Sequence, residues 1–282
     1  MLSTIDPLHL QSLLGATAGR LYLQCLERVD STNSELLRRT DAPVGTVIIA
    51  ERQDQGRGRR GRHWVSDPGH SLCFSLLWRL PMASIAGLSL LVGLALAEAL
   101  ESLARGSLVE RRVALKWPND LMLVGGKLPV GKLGGVLIEL QTESCQVAQT
   151  PQATAVIGVG INLGLSPALN MPGLPVATLD EMITSLPKSE RILAALLATL
   201  VGRLDDFARE GFAPFVDAWQ ARHVWQTKVL DLYEDAHRAD GTTLPLASGR
   251  YAGIDDEGAL WLNTDSGRRR FKVGDLSLRV AA

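Results

Sequence analysis

The segment 53–64 constrains the fold more than any other part of the chain, because three glycines and four arginines fall within these twelve residues. The β-branched run 44–51 before it predicts a strand, and the run 72–78 after it predicts a second one. The glycines match the G-x-G-x-x-G pattern of dinucleotide-binding folds, but that pattern needs a helix directly after the glycines. Here Pro68-Gly69 and a strand follow instead. The sequence therefore predicts a loop between two strands, and the absence of any Gly-Lys-Ser/Thr motif excludes a P-loop.

This Gly/Arg loop (53–64) has the composition of an anion-binding lid. Glycines let backbone N–H groups approach a phosphate closely, and arginine side chains bind phosphate or carboxylate in a bidentate way. Four arginines and a terminal Trp64 suit a lid over a nucleotide or an acyl phosphate: Arg57, Arg59, Arg60 and Arg62. A solvated basic loop or a nucleic-acid patch is the alternative, although the formal net charge of −1 argues against a whole-chain nucleic-acid binder.

Two further segments place charged residues at the ends of predicted strands. The predicted strand 114–117 runs into Lys116-Trp117-Pro118-Asn119-Asp120, where Asp120 could orient a nucleophilic amine or help to hold a metal ion. A simple β-turn is the alternative, because Pro-Asn-Asp favours turns. Lys132 stands just before the predicted strand 136–140, where its ammonium could neutralise a carboxylate and the phosphate formed from it. An ordinary exposed loop lysine is the alternative there.

Small and polar residues mark two more candidate positions. Gly158 and Gly160 interrupt the apolar strand 155–163, which indicates close approach of a ligand or of neighbouring backbone. Thr32 and Glu35 fit a capping box, which predicts a helix start whose N–H groups could also meet a polar ligand. The five histidines lack metal-ligand spacing with the cysteines, and no Ser-His-Asp arrangement can be argued. Covalent nucleophilic catalysis therefore has no support.

The chain is long enough for one large domain and one small one. Helices are predicted where apolar residues recur at helical spacing: 84–104, 190–209 and 212–221. Loops are predicted in three segments rich in glycine, proline or polar residues: 124–132, 145–154 and 165–175. Near Trp225 the pattern changes to short strands separated by Asp-Gly turn signals. We therefore predict one domain over 1–225 and a small β-barrel of about five strands over 226–282.

The cysteines and the apolar stretches indicate the compartment. Three widely spaced cysteines give no disulfide framework and favour a reducing environment. Residues 1–14 lack the pattern of a secretory signal. The most apolar stretch, 85–97, is shorter than the roughly 20 residues that a membrane span needs. We expect a cytoplasmic protein that does not enter a membrane.

The order of these segments is more specific than any one of them. Asp-Ser-Thr-Asn at 30–33 precedes the Gly/Arg loop, followed by Lys-Trp-Pro-Asn-Asp at 116–120, Lys-Leu-Gly-Gly-Val-Leu-Ile-Glu at 132–139 and Gly-x-Gly-Ile-Asn-Leu at 158–163. This order resembles the biotin protein ligase family over 29–163, and 274–279 resembles that family's small terminal domain. The resemblance implies an α+β fold, with a mixed-sheet catalytic domain over 1–225 and an SH3-like C-terminal β-barrel over 226–282.

The resemblance also implies a two-step reaction. Biotin attacks the α-phosphate of ATP to form biotinyl-5′-adenylate and pyrophosphate, and a lysine of a biotin carboxyl carrier protein then displaces AMP. ATP and biotin are the implied substrates, and Mg²⁺ is expected to share the phosphate charge. Lipoate or octanoate ligation on a related fold is one alternative, but such a ligase would lack the Gly/Arg lid. An RNA-binding Arg-Gly module is another, and the near-neutral charge speaks against it.

By motif position, the resemblance assigns roles to individual residues. Those implied to bind biotin are Ser31, Thr32, Asn33, Gln53, Arg57, Gly58, Arg59, Lys132, Gly135 and Gly160. Those implied to bind the nucleotide are Arg57, Arg59, Arg60, Trp64, Asn119, Lys132 and Asn162. The implied catalytic residues are Lys132, Arg57, Arg59 and Asp120. In this set Lys132 bridges the biotin carboxylate and the α-phosphate, Trp64 stacks on the adenine, and Asp120 orients the incoming lysine.

Two features depart from the family pattern. The stretch after Asp120 is longer than usual, so Lys127 competes with Lys132, and the Gly-Gly-Val shortly after Lys132 favours Lys132. The first motif starts at Asp30, which leaves no room for the N-terminal winged helix-turn-helix of bifunctional members. We therefore expect no sequence-specific DNA binding. The sequence assigns no metal ligands, and it is compatible with a monomer or a homodimer.

Overall fold

The computed structural model describes residues 5–82, 85–107, 109–126, 130–141, 151–166, 175–234, 244–272, 274 and 276–281. Lys127 and most of the predicted loops 145–154 and 165–175 lie outside this part of the chain. Within it, no helix combines the length and the apolar character that crossing a bilayer would require.

Seven strands form one mixed sheet: β1 (Tyr22–Val29), β2 (Thr46–Gln53), β3 (Ser71–Pro81), β4 (Arg112–Lys116), β5 (Asp120–Val124), β6 (Gly131–Gln141) and β7 (Gln152–Asn162). Their order across the sheet is β1-β2-β3-β7-β6-β5-β4. β1 and β2 run parallel and the other neighbours antiparallel. The mixed sheet confirms the predicted fold class. The strand over β6 begins earlier than predicted, so Lys132 lies inside β6 rather than before it, because its backbone already pairs with β5.

Where the structure describes the chain, there are five α-helices: α1 (Pro7–Leu13), α2 (Thr32–Arg38), α3 (Leu88–Leu103), α4 (Ser189–Glu210) and α5 (Val216–Gln220). α3 is the apolar helix predicted over 84–104, and its leucines Leu91, Leu94 and Leu100 are fully buried. It starts later than predicted because Gly87 at its N-cap adopts a left-handed φ of 82°. The helix predicted over 212–221 is shorter than expected, because its first half is a 3-10 turn over Ala213–Phe215.

The C-terminal part is a second, antiparallel sheet. It contains β8 (Val229–Tyr233), β9 (Ala247–Ile254), β10 (Leu260–Thr264), β11 (Gly267–Phe271) and β12 (Ser277–Val280), in the order β11-β10-β9-β8-β12. This matches the predicted number of strands. The indole Nε1 of Trp117, in the turn between β4 and β5, donates to the carbonyl of Gly258 at 3.1 Å. That buried bond ties the second sheet to the turn that carries Asn119 and Asp120.

Candidate active site

A cavity of about 320 Å³ lies against β6 and β7, between the start of α2 and the Gly/Arg loop. Most of the residues predicted from sequence line it: Ser31, Thr32, Asn33, Gln53, Arg57, Gly58, Arg59, Trp64, Asn119, Asp120, Lys132, Gly135 and Gly160. Arg60 and Asn162 are not among its lining residues. The lining also holds residues to which the resemblance assigned no role: Arg62, His63, Lys116, Val136, Leu137, Gly158 and Val159. All of them lie in the segments quoted above, and motif membership was the signal that could have found them.

Polar groups at the start of α2 form one end of the cavity. Ser31 has extended backbone and is the N-cap, with its Oγ accepting from Ser34 N at 3.5 Å. Thr32 donates to Gln53 Oε1 from its backbone N at 2.8 Å and from its hydroxyl at 3.2 Å. The predicted capping box between Thr32 and Glu35 was wrong. The cap lies one residue earlier, and Glu35 pairs instead with arginines of its own helix.

Asn33 is held by the sheet beneath it. Its Nδ2 donates to Glu139 Oε2 at 2.9 Å, and its Oδ1 accepts from Ser75 Oγ at 2.5 Å. A side chain at Gly158 would collide with it, because a Cβ there would lie 2.1 Å from Asn33 Oδ1. Glycine is therefore required at position 158 by close approach rather than by backbone strain. This explains one of the two glycines that interrupt the apolar strand β7.

The Gly/Arg loop is a compact turn that closes on itself. Gly58 N donates to the carbonyl of Arg62 at 2.7 Å, and Trp64 N donates to the carbonyl of Gly56 at 2.8 Å. Arg60, in the middle of the loop, has a left-handed φ of 60°. The next regular element is β3, so no helix follows the glycines, and the rejection of a dinucleotide fold is confirmed.

Two arginines of this loop cross the cavity mouth. Arg57 makes a bidentate pair with Glu139, with distances of 2.8 Å and 3.2 Å. Arg59 Nη1 donates to Asn119 Oδ1 at 2.9 Å, and its Nη2 donates to the carbonyl of Gly274 in the C-terminal part. Each guanidinium already binds an oxygen acceptor, which is the kind of group that a substrate carboxylate or phosphate would present.

Asp120 is the electrostatic centre of the cavity. Its Oδ1 lies 2.6 Å from Lys132 Nζ, and its Oδ2 lies 3.3 Å from Lys116 Nζ. Burial alone would raise the pKa of Asp120, but attraction to Lys132 and then to Lys116 outweighs it, so the pKa falls well below its usual range. With both lysines charged, the cluster carries one excess positive charge. It can therefore attract an anion and keep Asp120 ionised.

Trp64 and Asn162 occupy different places. Trp64 packs flat on β7, where a Cβ at Gly160 would lie 2.4 Å from the indole ring, and Lys132 Nζ lies 5.8 Å from the ring centre. Asn162 is buried, and its Nδ2 donates to the carbonyls of Lys132 at 3.1 Å and Ala177 at 3.2 Å. Asn162 thus holds the backbone that carries Lys132 and is set back from the cavity lining.

Comparison with known proteins agrees with this geometry. Residues 25–162 match the biotin/lipoate A/B protein ligase family, and residues 243–279 match the biotin protein ligase C-terminal domain. The chain belongs to the biotin protein ligase family.

Two curated relatives and one solved structure show how far the similarity extends. The biotin–[acetyl-CoA-carboxylase] ligase of Paracoccus denitrificans is 36% identical over 86% of this chain and 95% of that protein. The bifunctional ligase/repressor BirA of Escherichia coli (strain K12) is 34% identical over 98% of this chain and 80% of that protein. The biotin protein ligase of Aquifex aeolicus, solved in complex with biotin and ATP, has a TM-score of 0.72 and 27% identity, covering 92% and 99% of the two chains.

Proposed function

We propose that this chain is an ATP-dependent ligase that activates biotin as biotinyl-5′-AMP and transfers it to a specific lysine of a biotin carboxyl carrier protein. Family membership supports the reaction class. The observation that carries the proposal is the convergence of Lys132 and Arg59 on one part of the cavity, whose other end presents hydroxyl and amide groups beside the Arg57–Glu139 ion pair. A substrate fits this cavity if its neutral polar head binds the hydroxyl and amide groups and its carboxylate tail lies near Lys132.

The end with hydroxyl and amide groups suits the ureido ring of biotin. That ring presents N–H donors and a carbonyl acceptor, and the cavity offers the Ser31 hydroxyl, Thr32 and the Gln53 amide. Gln53 Oε1 is already engaged by Thr32, which orients the amide NH₂. Asn33, on α2 and bonded to the sheet beneath it, supports this end. Gly135, beside Lys132, leaves space for the rest of the ligand, and Gly160 leaves space for the Trp64 ring that lines the cavity.

The charged end suits acyl-phosphate chemistry. In the first step a carboxylate oxygen of biotin attacks the α-phosphorus of ATP, and the bond to the β-phosphate oxygen breaks to release pyrophosphate. Negative charge accumulates on phosphate oxygens, where Lys132, Arg57 and Arg59 stabilise it. In the second step a lysine amine attacks the acyl carbon, the bond to the AMP oxygen breaks, and the amine loses a proton. Asp120 is proposed to orient that amine.

The nucleotide has a second space available. A cavity of about 360 Å³ adjoins the first and shares Arg59, Asn119 and Val136 with it. A reaction between two substrates needs two adjoining spaces that meet at the reacting atoms. Asn119 lines this second cavity, and we propose that it contacts the nucleotide. Arg60, Trp64 and Asn162 do not line it; they stay predicted from motif position to serve the nucleotide, Trp64 by stacking on the adenine from the first cavity.

Mg²⁺ is proposed only as the counter-ion of the ATP substrate. Among the residues that the structure describes, no three His, Cys, Asp or Glu side chains are placed to hold a metal ion. Both oxygens of Asp120 are paired with lysines. These side chains do not fit an ion held by the protein itself.

The partner and the compartment remain proposals. The acceptor is proposed to be a biotin carboxyl carrier protein in the cytoplasm, with the ligase a monomer or a homodimer. A specific, salt-resistant complex with operator-like DNA would contradict the prediction that this chain does not bind such DNA.

The proposed function is tested by biotin-dependent exchange of labelled pyrophosphate into ATP, followed by transfer of labelled biotin to a carrier domain. Lipoate and octanoate serve as competing acids. The Lys132→Ala variant should lose adenylate formation, whereas Lys127→Ala should retain it. Activity only with lipoate or octanoate, or no exchange with any acid, would overturn the proposal. The opposite behaviour of the two lysine variants would move the catalytic role to Lys127.

A further inference from the structure

Lys116 lines the active-site cavity, but the reaction derived above does not use it. Its side chain is only 9% exposed, and its Nζ lies 3.3 Å from Asp120 Oδ2. Lys132 Nζ lies 2.6 Å from the other oxygen of the same carboxylate. Asp120 is therefore held between two ammonium groups, one on each oxygen. The reaction needs only one of these lysines at the substrate.

Lys116 is held in place by the segment that leads into the C-terminal sheet. The neighbouring Leu115 donates its N–H to Arg222 O at 2.8 Å and accepts from Val224 N at 2.9 Å. Trp225 follows, and its ring centre lies 5.4 Å from Lys116 Nζ, which is within cation–π distance. Backbone pairing on one side and an indole over the ammonium therefore keep Lys116 directed at Asp120.

Lys132 is bound to Asp120, but the proposed reaction also needs its ammonium at the carboxylate of the acid and at the α-phosphate. A buried carboxylate that loses its only cation is strongly unfavourable, so a lone Asp120 would retain Lys132. With Lys116 on Oδ2, the carboxylate keeps one cation after Lys132 leaves. The second ammonium on Asp120 thus allows Lys132 to move from Asp120 to the substrate.

We propose that Lys116 is a positioning residue that keeps Asp120 paired and thereby releases Lys132 to the substrate anion. The inference rests on the proposed function for the identity of that anion. Its geometry, one carboxylate between two lysines, does not depend on the proposed function.

The first test combines two substitutions. Lys116→Met removes the ammonium and keeps an unbranched stem, so Lys132 is the ion-pair partner left to Asp120 and Arg62 is a more distant charge. Biotin-dependent pyrophosphate exchange should then slow by about tenfold or more. Adding Asp120→Asn removes the charge that retains Lys132, so the double variant should exchange several-fold faster than Lys116→Met. If Lys116 served only for packing, the second substitution would bring no recovery.

Two single variants complete the series. Asp120→Asn is measured alone, so that its effect in the unmodified protein can be compared with its effect in Lys116→Met; it should speed pyrophosphate exchange only in the Lys116→Met background. Lys188→Met makes the same chemical change at an exposed lysine outside the cavity lining, and should leave exchange unchanged. Thermal unfolding of every variant establishes that it is folded.

A second measurement needs no turnover. Reductive methylation at limiting reagent, read at the Lys132 peptide by mass spectrometry, reports how firmly Asp120 holds that amine. Methylation of Lys132 should slow several-fold in Lys116→Met and recover in the double variant.

The outcomes separate the two hypotheses. If the unmodified protein exchanges pyrophosphate but Lys116→Met stays within twofold of it, or the double variant is slower than Lys116→Met, the positioning role is wrong. If the unmodified protein forms no adenylate, the proposed function fails, and the methylation series alone decides the role of Lys116. Unchanged methylation of Lys132 in Lys116→Met would then overturn it.

Discussion

Gly158 offers a direct test of how the polar end of the cavity is built. It pairs with Ser75 of β3 on one side and Leu137 of β6 on the other, and Asn33 lies over it. In Gly158→Ala, the new Cβ would lie 2.1 Å from Asn33 Oδ1, where ordinary contact begins near 3.4 Å. Asn33 must therefore move by about 1.3 Å, because the strand beneath is paired on both sides and cannot yield easily.

The expected size of the effect follows from the bonds that this movement breaks. A shift of that size removes the 2.9 Å bond to Glu139 and the 2.5 Å bond from Ser75. At about 1 kcal/mol for each bond, the loss is about 2 kcal/mol. Since 1.4 kcal/mol corresponds to tenfold, we expect the KM for biotin to rise about 30-fold. The KM for ATP should change much less, because the displaced groups lie at the other end of the cavity.

The assay is pyrophosphate exchange with biotin varied at saturating ATP. Gly202→Ala is the matched control: no atom lies within 4 Å of its added Cβ, and alanine at this position in α4 should stabilise the fold by up to about 1 kcal/mol with no change in KM. In Asn33→Ala the obstacle is gone, so adding Gly158→Ala to it should have little further effect. An unchanged KM for biotin in Gly158→Ala, or full additivity in the double variant, would refute the reasoning.

Three further results are expected. Burial lowers the pKa of His223 to about 4, so below pH 6.5 the unfolded chain binds a proton that the folded chain does not. The free energy of unfolding in urea should therefore fall by about 2 kcal/mol from pH 7.5 to pH 5, and His223→Phe should reduce this fall. Gly160→Ala displaces Trp64 and should raise the KM for ATP about tenfold; a rise confined to biotin would contradict adenine stacking. Trp117→Phe leaves the Gly258 carbonyl unpaired and should cost about 1–2 kcal/mol in thermal unfolding; an unchanged midpoint would show that water replaces the bond.

The local residue pattern predicted the strands that are strongly apolar along their own length. It missed the strands that form only because they pair with strands distant in the sequence. The β-branched runs that became β2, β3 and β7 could be read from the chain, because a buried strand is apolar along its own length. β1 and β5 were not predicted, since their sequences alternate weakly and they are ordered by their neighbours. The helix cap at Ser31 was displaced by one residue because backbone conformation, rather than residue type, selects among adjacent Ser and Thr.

The residues of the candidate site were found by sequence, and their partners were not. The order of the motifs identified Lys132, Arg57 and Arg59, because the residue types that the reaction needs stand at recognisable spacings along the chain. Nothing local indicated that Glu139 pairs with Arg57 at 82 residues' separation, or that Asn119 pairs with Arg59 at 60. Such contacts depend on which strands become neighbours in the sheet.

By itself, the sequence determined the order of strands, loops and charged motifs, because backbone preferences and side-chain chemistry are local properties. Only the tertiary structure decided which charged side chains pair with one another in the cavity. β5 lies between β4 and β6, and this brings Lys116 and Lys132 to the two oxygens of Asp120. Burial then makes that carboxylate dependent on a cation, because an unpaired charge is costly away from water. Which lysine can leave Asp120 is therefore decided by the fold.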